Sequence, residues 1–227
     1  MSLRTSSSVP PSPWLVEHHS GRAGDLHSLD LAGRRAIHVM VPSVPAIVLG
    51  STQDVSVIDS EKAGSAGIDV CQRRSGGGVV FVHPSYSTWV DVFIPRDDPL
   101  WIDDVSLSSN WLGRAWVDVL ATGGLVGAHV YDGPMHRGDI GAVVCFASSA
   151  PGEVFVDDMK VVGISQRRGR DGARFQCIVY RNWSPEMWSE ILVGTASAKS
   201  IEDLKVACVQ DTTDVLLMKL HRAFAGL

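Results

Sequence analysis

The amino-acid sequence predicts an α+β fold, with strands in the middle of the chain and helices towards both ends. Apolar runs that indicate strands occupy residues 46–49, 79–82, 88–94, 128–131, 140–146, 153–156, 159–165 and 174–180. Apolar residues at helical spacing occupy residues 24–36, 104–121, 201–209 and 213–225. Strands that follow one another without an intervening helix favour α+β over a regular βα alternation.

The composition is that of a single globular domain. Of 227 residues, 45% are hydrophobic and 20% are charged, and a chain of this length can bury roughly 70% of its unfolded surface. Residues 1–13 are rich in Ser and Pro, so we expect them to form a disordered tail. Residues 14–227 are then left for one domain without a separate C-terminal accessory domain.

Charge and cysteine usage exclude several classes of function. The net charge of −5 argues against nucleic acid as a partner, because binding along a duplex needs a basic face. No apolar run is long enough to cross a bilayer and the N-terminus lacks an apolar signal segment, so we expect no membrane contact and a cytoplasmic location. The four cysteines are far apart and form no C-x-x-C pair, which signals neither zinc nor a disulfide framework.

Local signals set the element boundaries in the first half of the chain. Apolar residues share one face of the first predicted helix, residues 24–36. Residues 46–49 form a short apolar run between Pro and Gly, as expected of a buried strand. The helix of residues 104–121 is expected to end at Gly123, because glycine accepts the backbone conformation that terminates helices.

The strand of residues 88–94 has two distinct faces. Alternation separates Val90, Val92 and Ile94 from Trp89, Asp91 and Phe93. Asp91 is thereby flanked by aromatic residues. It is either exposed on a solvated face or directed into a ligand cleft.

The second half of the chain predicts a meander of strands followed by helices. Residues 153–156 and 159–165 form a predicted hairpin with an Asp-Asp turn, and residues 174–180 follow as its third strand. Two short strands precede the hairpin, one on each side of a loop at residues 132–139. Ser184, which is followed by proline, predicts the start of a helix.

An anion site is predicted at Arg73-Arg74-Ser75-Gly76-Gly77-Gly78, directly before the strand of residues 79–82. Successive glycines adopt torsions closed to other residues, so their N–H groups can converge on an anion. Arginine supplies a charged fork that matches phosphate oxygens. The stretch is neither a P-loop nor a dinucleotide-binding turn. It predicts a phosphate site, with a purely structural mobile turn as the alternative.

The same stretch carries a family resemblance. Residues 73–81 resemble the R-R-x-S-G-G-G-A-V-[FY] signature of the lipoate-protein ligase A family, which is related to biotin protein ligases and octanoyltransferases. Residues 160–167, Lys-Val-Val-Gly-Ile-Ser-Gln-Arg, resemble that family's K-[VI]-x-G-x-x-x-R stretch, and residues 48–53 resemble its strand ending in G-x-x-Q. Aligned on the glycines, Arg73 takes the second family arginine and Arg74 the variable position. Val82-His83 replaces the family's His-Asp.

The resemblance implies a single catalytic domain with a large mixed β-sheet flanked by helices, as in biotin ligases and class II synthetases. It implies activation of lipoate by ATP to lipoyl-AMP, followed by transfer to a lysine. The implied nucleotide site comprises Arg73, Arg74, Ser75, Gly76, Gly77, Gly78, Val79, Val80, Phe81 and Lys160. The implied acyl site comprises Gly78, Lys160, Gly163 and Arg167. Lys160 is the candidate catalytic residue, because a lysine that touches both phosphate and carboxylate neutralises charge where it builds up.

The residues leave alternatives open. If Lys160 has no catalytic role, we expect an exposed lysine at a strand edge, where it would guard against aggregation. If Arg167 does not line the acyl pocket, we expect it to form a surface ion pair. The alternative activity is ATP-independent octanoyl transfer from acyl carrier protein. Cys145 resembles the nucleophilic cysteine of one class of octanoyltransferases, although a lone cysteine is usually a small buried hydrophobe. The Ser-Gly-Gly-Gly form of the turn favours the ligase. A non-catalytic ligand-binding homologue is the third alternative.

The ligase prediction carries its own cofactors and partners. ATP and Mg²⁺ are the expected cofactors and lipoate is the substrate, but no metal ligand is assigned because no acidic metal motif is visible. The expected partners are lipoyl-domain acceptor proteins, namely the E2 subunits of 2-oxoacid dehydrogenases and the glycine cleavage H protein. Free lipoate or octanoate is the expected small molecule, and we expect a monomer.

Overall fold

The computed structural model describes residues 13–138, 140–193 and 198–227, so all of the predicted tail except Pro13 lies outside the described residues. Within these ranges the strands are β1 (Leu15–Gly21), β2 (Ala36–Pro42), β3 (Ala46–Leu49), β4 (Asp69–Gln72), β5 (Val80–Val82), β6 (Ser87–Pro95), β7 (Ala128–Val130), β8 (Val154–Val156), β9 (Met159–Arg168) and β10 (Gly172–Tyr180). The helices are α1 (Ala23–Ser28), α2 (Ser60–Ser65), α3 (Asn110–Thr122), α4 (Ala198–Glu202) and α5 (Thr213–Phe224).

Two sheets organise these elements. The large sheet is mixed and has the strand order β1-β2-β6-β10-β9-β8-β7. Its first two strands run parallel, and all its other neighbours are antiparallel. The small sheet has the order β4-β3-β5. The prediction of an α+β fold with a large mixed sheet and flanking helices is confirmed.

Both faces of the large sheet are buried, which follows from the composition of β6. Val90, Val92 and Ile94 belong to a core that also contains residues of α3 and α5. Trp89 and Phe93 belong to a second core, formed with α1 and the small sheet. The predicted alternation of this strand is therefore confirmed. One layer of helices covers one face, and the small sheet covers the other.

Asp91 lies in this interior, and of its two expected positions the exposed one is wrong, while the residue lines neither of the two cavities described below. The side chain is fully buried, and it accepts hydrogen bonds at 2.6 Å from the Trp89 indole N–H and from Arg174 Nε. Arg174 also donates to the carbonyl oxygens of Leu26, His27 and Leu29. A buried carboxylate needs a paired cation and further hydrogen bonds. Asp91 therefore ties β6 to β10 and, through Arg174, to α1.

Most of the predicted elements are present, and five are wrong in type or extent. The helix predicted at residues 104–121 begins only at Asn110. The helix predicted at residues 24–36 ends at Ser28, because Arg174 caps its last carbonyls. Residues 140–146 form no strand within the described part, and a single 3-10 turn begins at Cys145. The helix expected from Ser184 is replaced by two short 3-10 turns, Pro185–Met187 and Ser189–Ile191. The helix expected at residues 201–209 is only the end of α4.

The segment after α4 is extended because it packs beside the large sheet. The backbone N–H of Val209 donates to the carbonyl oxygen of Tyr180 at 2.9 Å, and Val206 bridges to Lys160. The strands β1 and β2 were not predicted, since polar histidines interrupt their apolar pattern. None of the helices in the described ranges is long and apolar enough to span a membrane.

Candidate active site

The glycine turn, residues 73–78, runs from the end of β4 towards β5 and is packed against two other segments. Gly77 has φ of +104°, a torsion that favours glycine. A Cβ on Gly78 would lie 2.8 Å from backbone atoms of residues 143–145. A Cβ on Gly50, at the end of β3, would clash with the carbonyl oxygen of Gly77. The turn is therefore a fixed structural element.

Substitutions in this turn are expected to differ sharply. Gly78→Ala should destabilise the protein by about 1–3 kcal/mol, the usual cost of overpacking, and should displace Cys145. Gly76→Ala is the matched control, because an added Cβ there would have nothing within 4 Å. Urea unfolding of both variants measures the difference. Equal stabilities would contradict the close packing described for the turn.

Arg73 turns inward and binds the backbone of the same turn. Its Nη2 donates to the carbonyl oxygens of Gly76 and Gly78, both at 2.9 Å, and its Nη1 donates to Val48 O at 3.5 Å. The residue is 4% exposed. Both Nη groups of Arg73 thus donate to carbonyl oxygens, while its buried Nε has no partner among the described residues. The N–H groups of the three glycines also donate to none of the described residues. What the turn offers an anion is its own backbone.

Cys145 lies against this turn. A Cβ on Gly77 would lie 2.8 Å from Arg73 Nη2 and 3.8 Å from Cys145 Sγ. The Cys145 backbone N–H donates to the Val79 carbonyl oxygen at 2.9 Å, which holds the thiol beside the start of β5. Arg73 has no carboxylate partner among the described residues. No carboxylate therefore neutralises its positive charge, which lies on the turn that Cys145 packs against.

Lys160 lies behind Cys145 and is neutralised by a carboxylate. Its Nζ lies 2.8 Å from Glu153 Oε2 and donates to the Cys145 carbonyl oxygen at 2.9 Å. Both side chains are almost fully buried, with exposures of 0% and 3%. Burial raises the pKa of the Glu153 carboxyl, and the Lys160 charge opposes that shift. The expectation of an exposed strand-edge lysine is wrong, and the ammonium contacts Cys145 and Glu153 in the interior.

Cys145 stands between two cavities. An open cleft of about 670 Å³ is lined by the three glycines of the turn, Cys145, Glu153 and Gln166, among other residues. A small pocket of about 40 Å³ lies behind it and is mainly apolar, with Val80, Val82, Trp89 and Ile178 in its walls. Cys145 lines both cavities, so a group bound to its sulfur can face either the cleft or the apolar pocket.

A polar cluster closes the inner side of the small pocket. Ser75 Oγ donates to Gln176 Oε1 at 2.7 Å and lies 3.2 Å from Ser165 Oγ. Gln176 Nε2 lies 3.0 Å from His27 Nδ1. Burial, together with the charges of Arg174 and Arg73, lowers the pKa of His27 to about 3, so its ring is neutral and can accept this hydrogen bond. Ser75 therefore anchors the glycine turn to β9 and β10.

The remaining predicted site residues are divided between interior and surface. Gly163 lines the small pocket, where a Cβ would lie 3.1 Å from the Phe146 ring. Val79, Val80 and Phe81 are partly or fully buried beside the turn. Arg74 and Arg167 are exposed, line neither cavity, and form no ion pair within the described ranges.

Sequence reasoning missed Glu153, His27 and Gln176, and it noted Gln53 only as the end of the G-x-x-Q stretch. Gln53 Nε2 donates to the carbonyl oxygens of Ala142 and Val143, at 3.2 and 3.1 Å, and so holds the segment before Cys145. A signal for Glu153 was present. A lysine predicted within an apolar strand requires a counter-ion, and the neighbouring strand of the predicted hairpin begins with a glutamate.

A family comparison matches nearly the whole described chain. The model of the lipoyl protein ligase A/B catalytic domain matches residues 26–220. Among curated proteins, the octanoyltransferase LipM of Clostridioides difficile strain 630 is 29% identical over 119 residues. That alignment covers 52% of this chain and 43% of the relative, so this chain matches less than half the length of that protein.

Solved structures share the fold at low sequence identity. A bipartite lipoate protein ligase of Thermoplasma acidophilum, described with its E2 lipoyl domain, has a TM-score of 0.69 at 16% identity, covering 94% of this chain and 83% of that chain. A lipoate-protein ligase A bound with ATP has a TM-score of 0.67 at 16% identity, with coverages of 95% and 85%. At these identities the similarity is one of fold.

Proposed function

Because the chain belongs to the lipoyl protein ligase A/B catalytic domain family, we propose that it is an acyltransferase that carries an octanoyl-type acyl group as a thioester on Cys145. The observation that carries this proposal is the position of Cys145, which lies against the turn that carries the buried Arg73 charge and lines both cavities. A thiolate next to a fixed cation is a competent nucleophile. The similarity to an octanoyltransferase supports the same assignment.

The reaction follows from these positions. The Cys145 thiolate attacks the carbonyl carbon of an acyl thioester, a new C–S bond forms, and the donor thiolate leaves. The uncharged amine of an acceptor lysine then attacks the acyl-cysteine, a C–N bond forms, and the Cys145 thiolate leaves while the amine proton passes to water. In this proposal the free N–H groups of the glycine turn would stabilise the oxyanion that forms at the attacked carbonyl.

The apolar pocket beside Cys145 would receive the acyl chain. Its volume of about 40 Å³ holds about three water-sized groups, since a cavity needs roughly 10–15 Å³ to hold one water molecule. An octanoyl or lipoyl chain would therefore have to widen it. Its walls include Trp89 and His27.

The acceptor in this proposal is a lipoyl domain, whose lysine would enter through the open cleft.

Charge favours a thioester donor over ATP. Among the described residues that line the cleft, Arg137 is the one arginine or lysine, while Asp104 and Glu153 are acidic. Lys160 is already neutralised by Glu153, and Arg73 directs both Nη groups to carbonyl oxygens. A triphosphate bound in the cleft would meet one lining cation, Arg137, and most of its charge would stay uncompensated. A thioester is uncharged at its reacting centre, so the same cleft accepts it without that cost.

The lipoate ligase remains the second candidate, because the free N–H groups of the glycine turn also suit a phosphate. Its cofactors would be ATP and Mg²⁺ and its substrate lipoate. Mg²⁺ is held through carboxylates and phosphates. Of the two carboxylates among the described cleft residues, Glu153 is paired with Lys160. The other, Asp104, accepts hydrogen bonds from Ser106. One carboxylate is enough where phosphates supply the other ligands, so in the ligase Asp104 would hold the Mg²⁺ of a bound nucleotide.

Two assays on the wild-type protein separate these functions. In the first, an octanoyl thioester is added without ATP, and intact mass should show one octanoyl adduct that disappears when a lipoyl domain is added. In the second, ATP, Mg²⁺ and lipoate are added, and pyrophosphate should not be released. Pyrophosphate release without an acyl adduct would overturn the transferase in favour of the ligase. Neither product would indicate a non-catalytic homologue.

A further inference from the structure

A carboxylate and two imidazoles meet at the outer edge of the large sheet, on strands β1 and β2. Glu17 pairs with His38 across the parallel register, and His19 lies two residues further along β1, so all three side chains share one face. His19 Nε2 lies 3.1 Å from His38 Nδ1. Glu17 Oε2 lies 3.7 Å from the former nitrogen and 3.5 Å from the latter.

These separations match a metal coordination sphere. A tetrahedral centre above the plane of the three atoms lies about 2.1 Å from each of them, which is the bond length of zinc to histidine nitrogen and carboxylate oxygen. Tetrahedral ligands at that bond length are roughly 3.4 Å apart. We propose that Glu17, His19 and His38 form a binding site for Zn²⁺ or a similar divalent transition metal, independent of the proposed acyl transfer.

The ligand types decide which metals fit. Two imidazoles and one carboxylate suit zinc, copper, nickel and iron, whereas Mg²⁺ and Ca²⁺ require mainly oxygen ligands. The side chains are graded in exposure from Glu17 at 49% through His19 at 24% to His38 at 5%. The site is therefore anchored in the sheet by His38 and open to solvent at Glu17, which leaves the fourth coordination position to water.

The surroundings of His38 predict an exchangeable metal. Its second ring nitrogen, Nε2, is buried and has no hydrogen-bond partner in the described part of the chain. Zinc-binding histidines are normally held by such a partner, whose removal costs about 10–100-fold in metal affinity. The metal should therefore be removable by dialysis against a chelator. Because the ligands come from two neighbouring strands, the bound metal would also fasten the edge strand β1 to β2.

Metal titrations of the full chain test this site, with Zn²⁺ alone as the probe. The protein is prepared without a polyhistidine tag and dialysed against a chelator, and binding is followed by calorimetry. The wild type should bind one equivalent. Glu17→Gln and His19→Ala should each weaken binding by about 100-fold or more, because losing a ligand costs more than losing the group that orients it.

His18→Ala is the matched control, since His18 is the neighbouring residue on β1 and points to the opposite face. It should bind Zn²⁺ as the wild type does. Glu17, His18 and His19 are at least partly exposed, so all three variants should fold, which circular dichroism checks. Zn²⁺ should also raise the melting temperatures of the wild type and of His18→Ala, but not those of Glu17→Gln and His19→Ala.

Co²⁺ provides a spectroscopic test of the ligand set. With nitrogen and oxygen ligands it should give visible absorption bands without the near-ultraviolet charge-transfer band of a thiolate. A thiolate charge-transfer band would show that a cysteine binds the metal, and this would overturn the proposal. Wild-type protein that does not saturate at one equivalent of Zn²⁺, or Glu17→Gln and His19→Ala variants that bind as tightly as His18→Ala, would overturn it as well.

Discussion

Cys145→Ser is expected to abolish acyl transfer and the acyl-enzyme adduct together, with a loss of rate of about 10³-fold or more, the scale on which loss of a nucleophile acts. Serine has nearly the same size, and Cys145 is half-buried at the start of a short 3-10 turn. The fold and the small pocket should therefore survive. The measurements are intact mass after addition of an octanoyl thioester and the rate of lipoyl-domain modification.

The control for this experiment is Cys208→Ser. Cys208 is also half-buried and free, but it lines neither cavity, so its replacement should leave both readouts unchanged. If Cys145→Ser still transfers acyl groups, Cys145 is only a wall of the pocket. If transfer persists and depends on ATP, the protein is a ligase.

The buried pair of Lys160 and Glu153 is expected to give the largest effect on stability. Glu153→Gln leaves the Lys160 ammonium buried without a carboxylate, and Lys160→Met leaves the carboxylate without a cation. Either change should cost about 3–5 kcal/mol, because the remaining charge is uncompensated. The double variant should regain much of this loss, since two neutral side chains then occupy the same space. Urea unfolding of the four proteins gives the coupling energy directly.

Activity of the double variant separates structural from functional roles of the pair. Lys160 Nζ donates to the Cys145 carbonyl oxygen, so its loss should release the 3-10 turn and lower the transfer rate by about 10–100-fold even where stability is restored. Full activity in the double variant would make the pair purely structural. If Lys160→Met instead removes only ATP-dependent adenylate formation, by roughly 100-fold or more, the ligase is the correct function.

Several features of the site could be read from local sequence because their causes are local. The glycine turn depends on torsions and close approaches available only to residues without a side chain, and the strands around it depend on alternation within a few residues. Lys160 attracted notice because a lysine within an apolar strand requires compensation. The family resemblance was carried by these same short stretches, and the family match confirms it.

The directions in which the polar groups point were decided by tertiary structure. Arg73 was expected to face a phosphate, but its nearest acceptors are carbonyl oxygens of its own turn, which become available only once that turn closes on itself. The helix predicted at residues 24–36 was shortened by Arg174, a residue distant in sequence.

The sequence by itself determined the α+β class, most of the inner strands, the glycine turn and the presence of a lysine in an apolar strand. The tertiary structure alone decided that Glu153 neutralises that lysine, that Cys145 stands between two cavities, and that Glu17, His19 and His38 meet at the sheet edge. The physical reason is that alternation and turn torsions are properties of neighbouring residues. Charge pairing and cavity walls depend instead on which distant segments the folded chain brings into contact.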